Sequence, residues 1–388
     1  MKFFDAIIIG AGLAGLQCAK LLSRQGVKVL LVDRKTDLTK GVHTTGIFVR
    51  KTFEDFDFPS GVLGRPIRDV SLYSPRFKSI SLQSNKDEFR IGDMGKLYQT
   101  VLDDCIENGV EFARGTRYLG AETESVEVVV RLEYKGIAFK VGAKVLIGAD
   151  GATSRVARDL GLDENREWIV GYEEVYRRDV PSGESILHCF LDAKLAPGYL
   201  AWIADDGEEM HIGVGGYPGK FEPKAALKGF RDKIASRFVD FEIANLKETR
   251  GGRIPVGGVL RRIANKHGLL VGDAAGAVSP LTAGGLDPCL RLSVMAADVV
   301  TVRLKGNDPK VMLNYSGRLF RTRFISRLWM RKMIAILSNQ TVLEAGCAVL
   351  RTVFGRKFAQ HVFFGRGSFP DVRVNIRKKD GRVFVQEN

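Results

Sequence analysis

Ala6-Ile7-Ile8-Ile9-Gly10-Ala11-Gly12-Leu13-Ala14-Gly15 sets three glycines directly after an apolar run and directly before a helical pattern. A short buried strand that turns sharply into a helix needs this arrangement. Gly10 permits the turn, Gly12 lets backbone approach a pyrophosphate, and Gly15 lets the helix pack closely on the strand. Leu13 and Ala14 open the helix, whose free N–H groups and positive dipole end attract phosphate. Leu13–Gln25 carries apolar residues at Leu13, Leu16, Ala19, Leu21 and Leu22, close to the helical period, and Gly26 stands where the helix should stop. A second strand, Val27–Val32, leads to Asp33 and Arg34. Asp33 lies about 20 residues beyond the glycines, where a carboxylate accepts hydrogen bonds from a ribose. These residues predict a dinucleotide-binding β-α-β unit. FAD and NAD both remain open at this point.

Gly272-Asp273-Ala274-Ala275-Gly276, after the apolar Gly268-Leu269-Leu270-Val271, narrows the choice. A strand is expected to end in Asp273, whose carboxylate can accept from a ribityl hydroxyl. Small residues follow, so backbone can approach a cofactor. Pro280 fixes the next loop, and Gly284-Gly285 precede a helix over Leu286–Leu304. The start of that helix points N–H groups at the N1/C2=O edge of a flavin, where the reduced ring carries negative charge. The two glycine segments, in this order, read as the two ends of one FAD site. No second GxGxxG follows a strand. Gly213-Val214-Gly215-Gly216 lacks a helical continuation and reads as strand and turn, which argues against a dedicated NAD(P)H domain.

Length and composition fit one large core or two domains of a globular protein, with mean hydropathy −0.04. No run of 18 apolar residues offers a membrane span. The chain enters its first strand at once, so no signal or transit peptide is expected. Cys18, Cys105, Cys189, Cys289 and Cys347 lie far apart with no CxxC pair, which argues against zinc, iron–sulfur or a disulfide framework. No metal ligand set is expected, and a reducing cytoplasm is the simplest setting. From Thr301 onward there are 18 Lys and Arg against 5 Asp and Glu, nearly the whole net charge of +14. In Arg318–Lys332, Phe320, Phe324, Leu328 and Met330 or Arg331 recur at about helical spacing, with arginines expected to flank the apolar face. Such a segment suits peripheral contact with an anionic membrane, on its inner face if the protein is cytoplasmic. A solvated basic helix face is the competing reading, and nucleic acid the least favoured partner.

Along the chain, residues 36–60 lack a clear period and carry the polar loop Lys40–Gly46. Arg68–Ser74 and Ser79–Gln83 alternate like antiparallel strands. Met94–Asn108 reads as a helix. Val110–Phe112, Ser125–Glu133 and Lys140–Ile147 read as strands, the last feeding Gly148-Ala149-Asp150-Gly151. Ile169–Gly216 is a run of short alternating segments, Lys224–Ser236 a helix, and helices dominate Val311–Phe364. A hairpin with a turn at Lys379-Asp380-Gly381 ends the chain. The expected architecture is α/β. A Rossmann-type FAD-binding domain is assembled from 1–60, 90–160 and 260–305. An antiparallel-sheet substrate domain is inserted from 61–89 and 161–259, and 306–388 is a basic helical region.

Together these motifs resemble the FAD-dependent oxidoreductases of the p-hydroxybenzoate hydroxylase fold, and within them most of all the geranylgeranyl reductase family. The resemblance rests on the Gly10–Gly15 loop with Asp33, on Gly148–Arg158, which is similar to that family's GADG–S–R segment, and on Gly272–Gly276 with Pro280 and Ala283-Gly284-Gly285-Leu286. It covers nearly the whole chain to about residue 300. It implies that Asp150 braces the FAD side, with Ser154 capping a short helix. It also implies reduction of C=C bonds in a prenyl or other hydrophobic lipid, with NAD(P)H or a ferredoxin-like donor as external reductant. An FAD-dependent monooxygenase using NAD(P)H and oxygen is the alternative, and a non-catalytic flavin-binding protein a second. The resemblance places His43 near the flavin ring, where it could donate a proton, and Tyr199 and Trp202 on the substrate sheet. The chain departs from the family at Gly95, where an arginine is usual, with Lys96 adjacent. It departs again at Ala204-Asp205-Asp206, where a proline is expected. The Trp-x-Trp-x-Ile-Pro pattern of flavin halogenases is absent.

Overall fold

The computed structural model describes residues 1–178, 185–219, 221–235, 245–322, 324–336, 339–365, 376–379 and 382–385. Asp380, Gly381 and Ser236, the expected last turn and helix end, lie outside the described residues. Lys2–Ile9, buried from Ala6 onward, pairs in parallel with Val29–Asp33 on one side and Ile137–Gly148 on the other. Gly268–Leu270 extends the sheet beyond Ile137–Gly148, and Glu111–Arg114 extends it beyond Val29–Asp33, both in parallel. The register sets Ile9 beside Val32 and Gly148, and Gly148 beside Leu270. The carboxyl ends of these strands therefore coincide. Parallel strands with coincident ends leave a crevice there, which is where open α/β sheets bind ligands. An antiparallel pair, Thr116–Glu124 and Glu127–Tyr134, and the short Ala264–Asn265 beside Gly268–Leu270 complete eight strands.

Two helices from opposite parts of the chain cover this sheet. Leu13–Ser23 buries Leu16, Cys18, Ala19 and Leu22, and it packs against Leu286–Gly306. Contact is close because the facing residues are small: Ser293 Oγ donates to Ala14 O at 3.3 Å, and Cys18 lies against Ser293. Gly26 ends the first helix in a left-handed conformation, as its position predicts.

A second sheet of seven strands runs in the order Leu246–Pro255, Trp168–Arg177, Glu209–Gly216, Ala201–Asp205, Ile186–Phe190, Asp69–Tyr73 and Ser79–Gln83. All its pairs are antiparallel except Ile186–Phe190 with Asp69–Tyr73. A third sheet has three strands, in the order Ile47–Val49, Phe89–Gly92 and Leu63–Ile67. Its first strand and the helix Arg50–Asp55 occupy a stretch with no readable period.

Two expectations are corrected. The strand before Asp273 stops at Leu270, and Gly272–Ala275 is a 3-10 turn, so Asp273 sits on a turn rather than on a strand. The basic segment is two helices, Gly317–Thr322 and Ile325–Ile336, and its arginines do not simply flank an apolar face. Phe320 and Phe324 are buried as their spacing suggests, but Arg327 and Arg331 are buried beside them. Ile325, Trp329 and Met333 stand in water instead. Helices Gln340–Leu350 and Val353–Phe364 follow, and Ile376–Lys379 pairs with Arg382–Val385. Tyr315 ties this region to the first sheet, its buried hydroxyl donating to Leu270 O at 3.0 Å. No described helix is long and apolar enough to cross a membrane.

Candidate active site

One cavity of about 1350 Å³ runs from the carboxyl edge of the parallel sheet, past the seven-stranded sheet, to the C-terminal helices. At the sheet end the glycines divide the work. Gly10 has φ +105°, and a Cβ on it would lie 2.3 Å from Ala149 O. A Cβ on Gly15 would lie 1.8 Å from Gly10 O, so the helix touches the turn there. A Cβ on Gly12 would meet nothing within 4 Å; it would project into open space. Gly10, Gly12, Leu13 and Ala14 line the cavity, whereas Gly15 packs behind it.

Asp33 also lines the cavity, and its carboxylate accepts from Ala11 N at 2.7 Å and Lys35 N at 2.8 Å. A carboxylate has about four acceptor positions, so it retains capacity for a ribose. Arg34 lies beside it on the wall. Asp150 faces the cavity too, but its oxygens accept from Ser154 Oγ at 2.6 Å, Arg155 N at 2.7 Å and Val156 N at 3.1 Å. Burial pushes its pKa up against the pull of these bonds. It works as a brace for the short helix Arg155–Asp159, which Ser154 caps through Ala157 N.

The opposite wall is Gly272–Asp273 and Val278–Leu286. Gly272 has φ +57°, and a Cβ on it would come within 2.8 Å of Ala14 Cβ, so the two glycine segments meet. Asp273 Oδ1 points toward Gly285. Burial pushes its carboxyl up to about 6. The described residues supply no hydrogen bond to it, which suits a carboxylate awaiting a hydroxyl donor. The helix from Leu286 begins at Gly285 without a side-chain cap, leaving its first N–H groups toward the cavity. Pro280 is buried but off the lining, where it packs near Gly258 and shapes the loop from behind. Open space at Gly12, an unpartnered carboxylate at Asp273 and an uncapped helix start fit a flavin dinucleotide laid between the two glycine segments.

Tyr199 and Trp202 also line the cavity. His43 lines the cavity, with Nδ1 3.1 Å from Gly251 O. Desolvation and the Lys35 charge hold its pKa below the ordinary value. With Nδ1–H donating to the carbonyl, the neutral ring offers an acceptor at Nε2, the reverse of a proton donor. Lys96 does not replace the missing arginine: it is exposed and donates to Gly61 O at 3.1 Å. Tyr199 donates to Thr282 O at 2.7 Å, tying the second sheet to the flavin-side loop. Trp202 Nε1 donates to Glu173 Oε2 at 2.9 Å.

Glu173 was not singled out by motif, yet it is the hub of the second sheet. Thr45 Oγ1 donates to it at 2.5 Å, His211 Nδ1 lies 3.2 Å away, and Arg250 lies at 3.7 Å while also donating to Thr44 O at 2.8 Å. Burial alone would raise the carboxyl; the His211 contact, the Thr45 bond and the Arg250 charge hold it below its ordinary value. These bonds pin the polar loop to the second sheet. The signal was phase: Ile169, Gly171, Glu173 and Val175 alternate inward, so an acid occupies a core position.

Farther on, the lining turns apolar. Leu72, Leu187, Cys189 and Leu200 of the sheet side face Leu350, Phe358, Val362 and Phe363 of the last helices. The five cysteines are free and buried, and burial raises Cys189 to about 12, so it is an inert wall thiol. Among the described residues no cluster could hold a metal.

A protein-family profile described as FAD binding domain matches residues 4–68 and 94–315. The digeranylgeranylglycerophospholipid reductase of Methanococcus vannielii is 24% identical over 349 residues, covering 88% of this chain and 87% of that protein. That of Methanothrix thermoacetophila is 27% identical over 318 residues, covering 79% and 80%. A geranylgeranyl bacteriochlorophyll reductase-like protein from Thermoplasma acidophilum has the same fold, with a TM-score of 0.82, 20% identity and 94% and 98% coverage. The p-nitrophenol 4-monooxygenase of Pseudomonas putida shares it more distantly, with a TM-score of 0.67, 14% identity and 95% coverage of each chain. With most of its length matched by the profile, and with a site shaped for the cofactor, this chain belongs to the FAD binding domain family.

Proposed function

We propose that this protein reduces C=C bonds of a prenyl or other hydrophobic lipid, and takes that substrate from a membrane surface. The observation that carries the reading is the cavity itself. One end is polar and shaped for FAD, and the other is walled by aliphatic and aromatic side chains. Reductases of geranylgeranyl lipids among the relatives support the same chemistry. Reduced FAD, when bound, would supply hydride to one alkene carbon, and a proton added to its neighbour would complete the saturated bond. The chain holds it and shapes its surroundings. Backbone at Gly12–Ala14 receives the pyrophosphate, Asp33 the ribose and Asp273 the ribityl chain. The helix start at Gly285–Leu286 favours negative charge on the reduced ring. Thr45 and Trp202, fixed by Glu173, border the space where the alkene lies. The apolar walls exclude water from that space.

Membrane contact has support at the cavity mouth. Trp329, Met333 and Phe358 line the cavity and are also 64%, 57% and 53% exposed. Phe354, one turn before Phe358, is 84% exposed. A lipid leaving a bilayer through this mouth would stay in apolar surroundings. The test is anaerobic incubation of the FAD-loaded, dithionite-reduced protein with geranylgeranyl lipids, followed by mass spectrometry. The expected product gains two hydrogens per reduced bond. Unchanged lipid in every case, or oxygen incorporation in a parallel incubation with air and NAD(P)H, would replace this reading with a binding protein or a monooxygenase.

A further inference from the structure

The C-terminal helix Ile325–Ile336 buries two charges that the scheme above does not use. Arg327 and Arg331 are 8% and 4% exposed, and both line the cavity. Their spacing of one helical turn sets them on the same face. Arg331 donates from Nε to Tyr217 Oη at 3.1 Å and lies over the rings of Tyr217 and Tyr199, 4.9 and 5.8 Å from their centroids. A terminal nitrogen of its guanidinium is buried with no partner. Arg327 donates to Val362 O at 3.2 Å, and burial disfavours its charge. Among the described residues neither guanidinium forms an ion pair with a carboxylate.

A guanidinium has five N–H donors and is always charged, so burying one without an anion is costly. Two on one face of one helix, with Arg327 against Val362 of the apolar wall, call for an anion that the described residues do not provide. The planar fork matches the paired oxygens of a phosphate or a carboxylate. Position adds a constraint. Tyr199, under Arg331, is the residue that bonds the flavin-side loop at Thr282 O. The seat is therefore inside the cavity near the flavin, not out at the mouth.

We propose that Arg331, with Arg327, is an interior seat for an oxyanion, phosphate or carboxylate, carried by the hydrophobic substrate. This rests on the reading that the cavity takes such a substrate. The test titrates the FAD-loaded protein with geranylgeranyl phosphate, geranylgeranoic acid and geranylgeraniol by calorimetry, below their micelle concentrations. At least one anionic ligand is expected to bind about tenfold or more tighter than the alcohol. Arg331→Met should erase that difference while the alcohol's affinity stays within about twofold, and Arg331→Lys should keep part of it. Flavin absorbance and melting temperature report whether each variant is folded. If Arg331→Met does not fold, Arg327→Met and the wild-type ratios still decide. A preference for the phosphate or for the acid supports the seat and names its anion. Equal affinity for all three ligands in the wild type, or a preference that survives in folded Arg331→Met, overturns the seat and leaves the hydrophobic-substrate reading standing. Failure of all three to bind overturns both.

Discussion

Gly12 and Gly15 sit three residues apart, yet a side chain at each meets opposite surroundings. At Gly12 it would enter open cavity, so Gly12→Val should fold normally and lose FAD. At Gly15 it would strike Gly10 O, so Gly15→Val should destabilise the apoprotein, overpacking costing roughly 1–3 kcal/mol or more. Melting curves with and without FAD separate the two. A similar contrast holds for the acids. Asp273→Asn should weaken FAD binding about 10- to 150-fold, from roughly 1.5–3 kcal/mol for a charge-assisted hydrogen bond. Asp150→Ala should instead lower stability by about 0.5–2 kcal/mol, the usual effect of losing a helix cap. Asp273 also predicts a pH response. Its carboxyl is pushed up to about 6, and ligand hydroxyls donate best to the ionised form. FAD affinity should fall as pH drops from about 7 through 6 toward 5, and Asp273→Asn should lose that slope. A wild-type affinity that is flat over the range would show that Asp273 does not meet the cofactor. These positions were legible because each motif residue answers a local demand of turn, approach or cap. Glu173 showed only as an acid at a core phase, because its partners Thr45, Trp202, His211 and Arg250 come from four separate segments that no local pattern joins.

Strand Glu209–Gly216 carries three glycines whose purpose lies on neighbouring segments. A Cβ at Gly213 would fall 2.1 Å from the Trp202 ring, and one at Gly215 would fall 2.7 Å from Tyr199. The two rings, at 71° to each other, take the space that side chains at these glycines would fill. The sequence reading of strand and turn was right about the element, while the reason for the glycines needed the neighbouring strand. Gly213→Val should displace Trp202 from Glu173, lower the melting temperature and change the near-ultraviolet circular dichroism of tryptophan. An unaltered spectrum would mean that the ring is not held there. The helix Ile325–Ile336 teaches a different lesson. Phe324, Arg327, Leu328 and Arg331 share one helical phase, so the arginines were in step with the core face. Periodicity finds the face, but charge suggests the wrong side for it until a cavity is seen behind it.

For the molecule as a whole, the chain should sediment with anionic vesicles at low salt. Trp329→Ser combined with Phe354→Ser should weaken that binding about tenfold or more, since burying one large apolar side chain is worth roughly 1.5–3 kcal/mol. Retention of the double variant on vesicles at wild-type levels would move the contact away from the cavity mouth. At this scale the FAD-binding fold was readable, because its fingerprints are sequence-local. The substrate side was readable only as alternating strands, because a lipid cavity is lined by ordinary apolar residues.

The meeting of Gly272 with Ala14 has a consequence for how the protein is made. The first glycine turn leaves the ribosome early, but the wall that faces it arrives only with Gly272 and the helix from Leu286. Until then the nascent parallel sheet lacks Gly268–Leu270, and the crevice has one side. Long-range closure of this kind folds slowly and exposes strand edges to aggregation while it waits. Flavin capture therefore marks the near-completion of synthesis. Chains arrested before this point should emerge colourless, and riboflavin starvation should show first as insoluble full-length protein rather than as slow turnover.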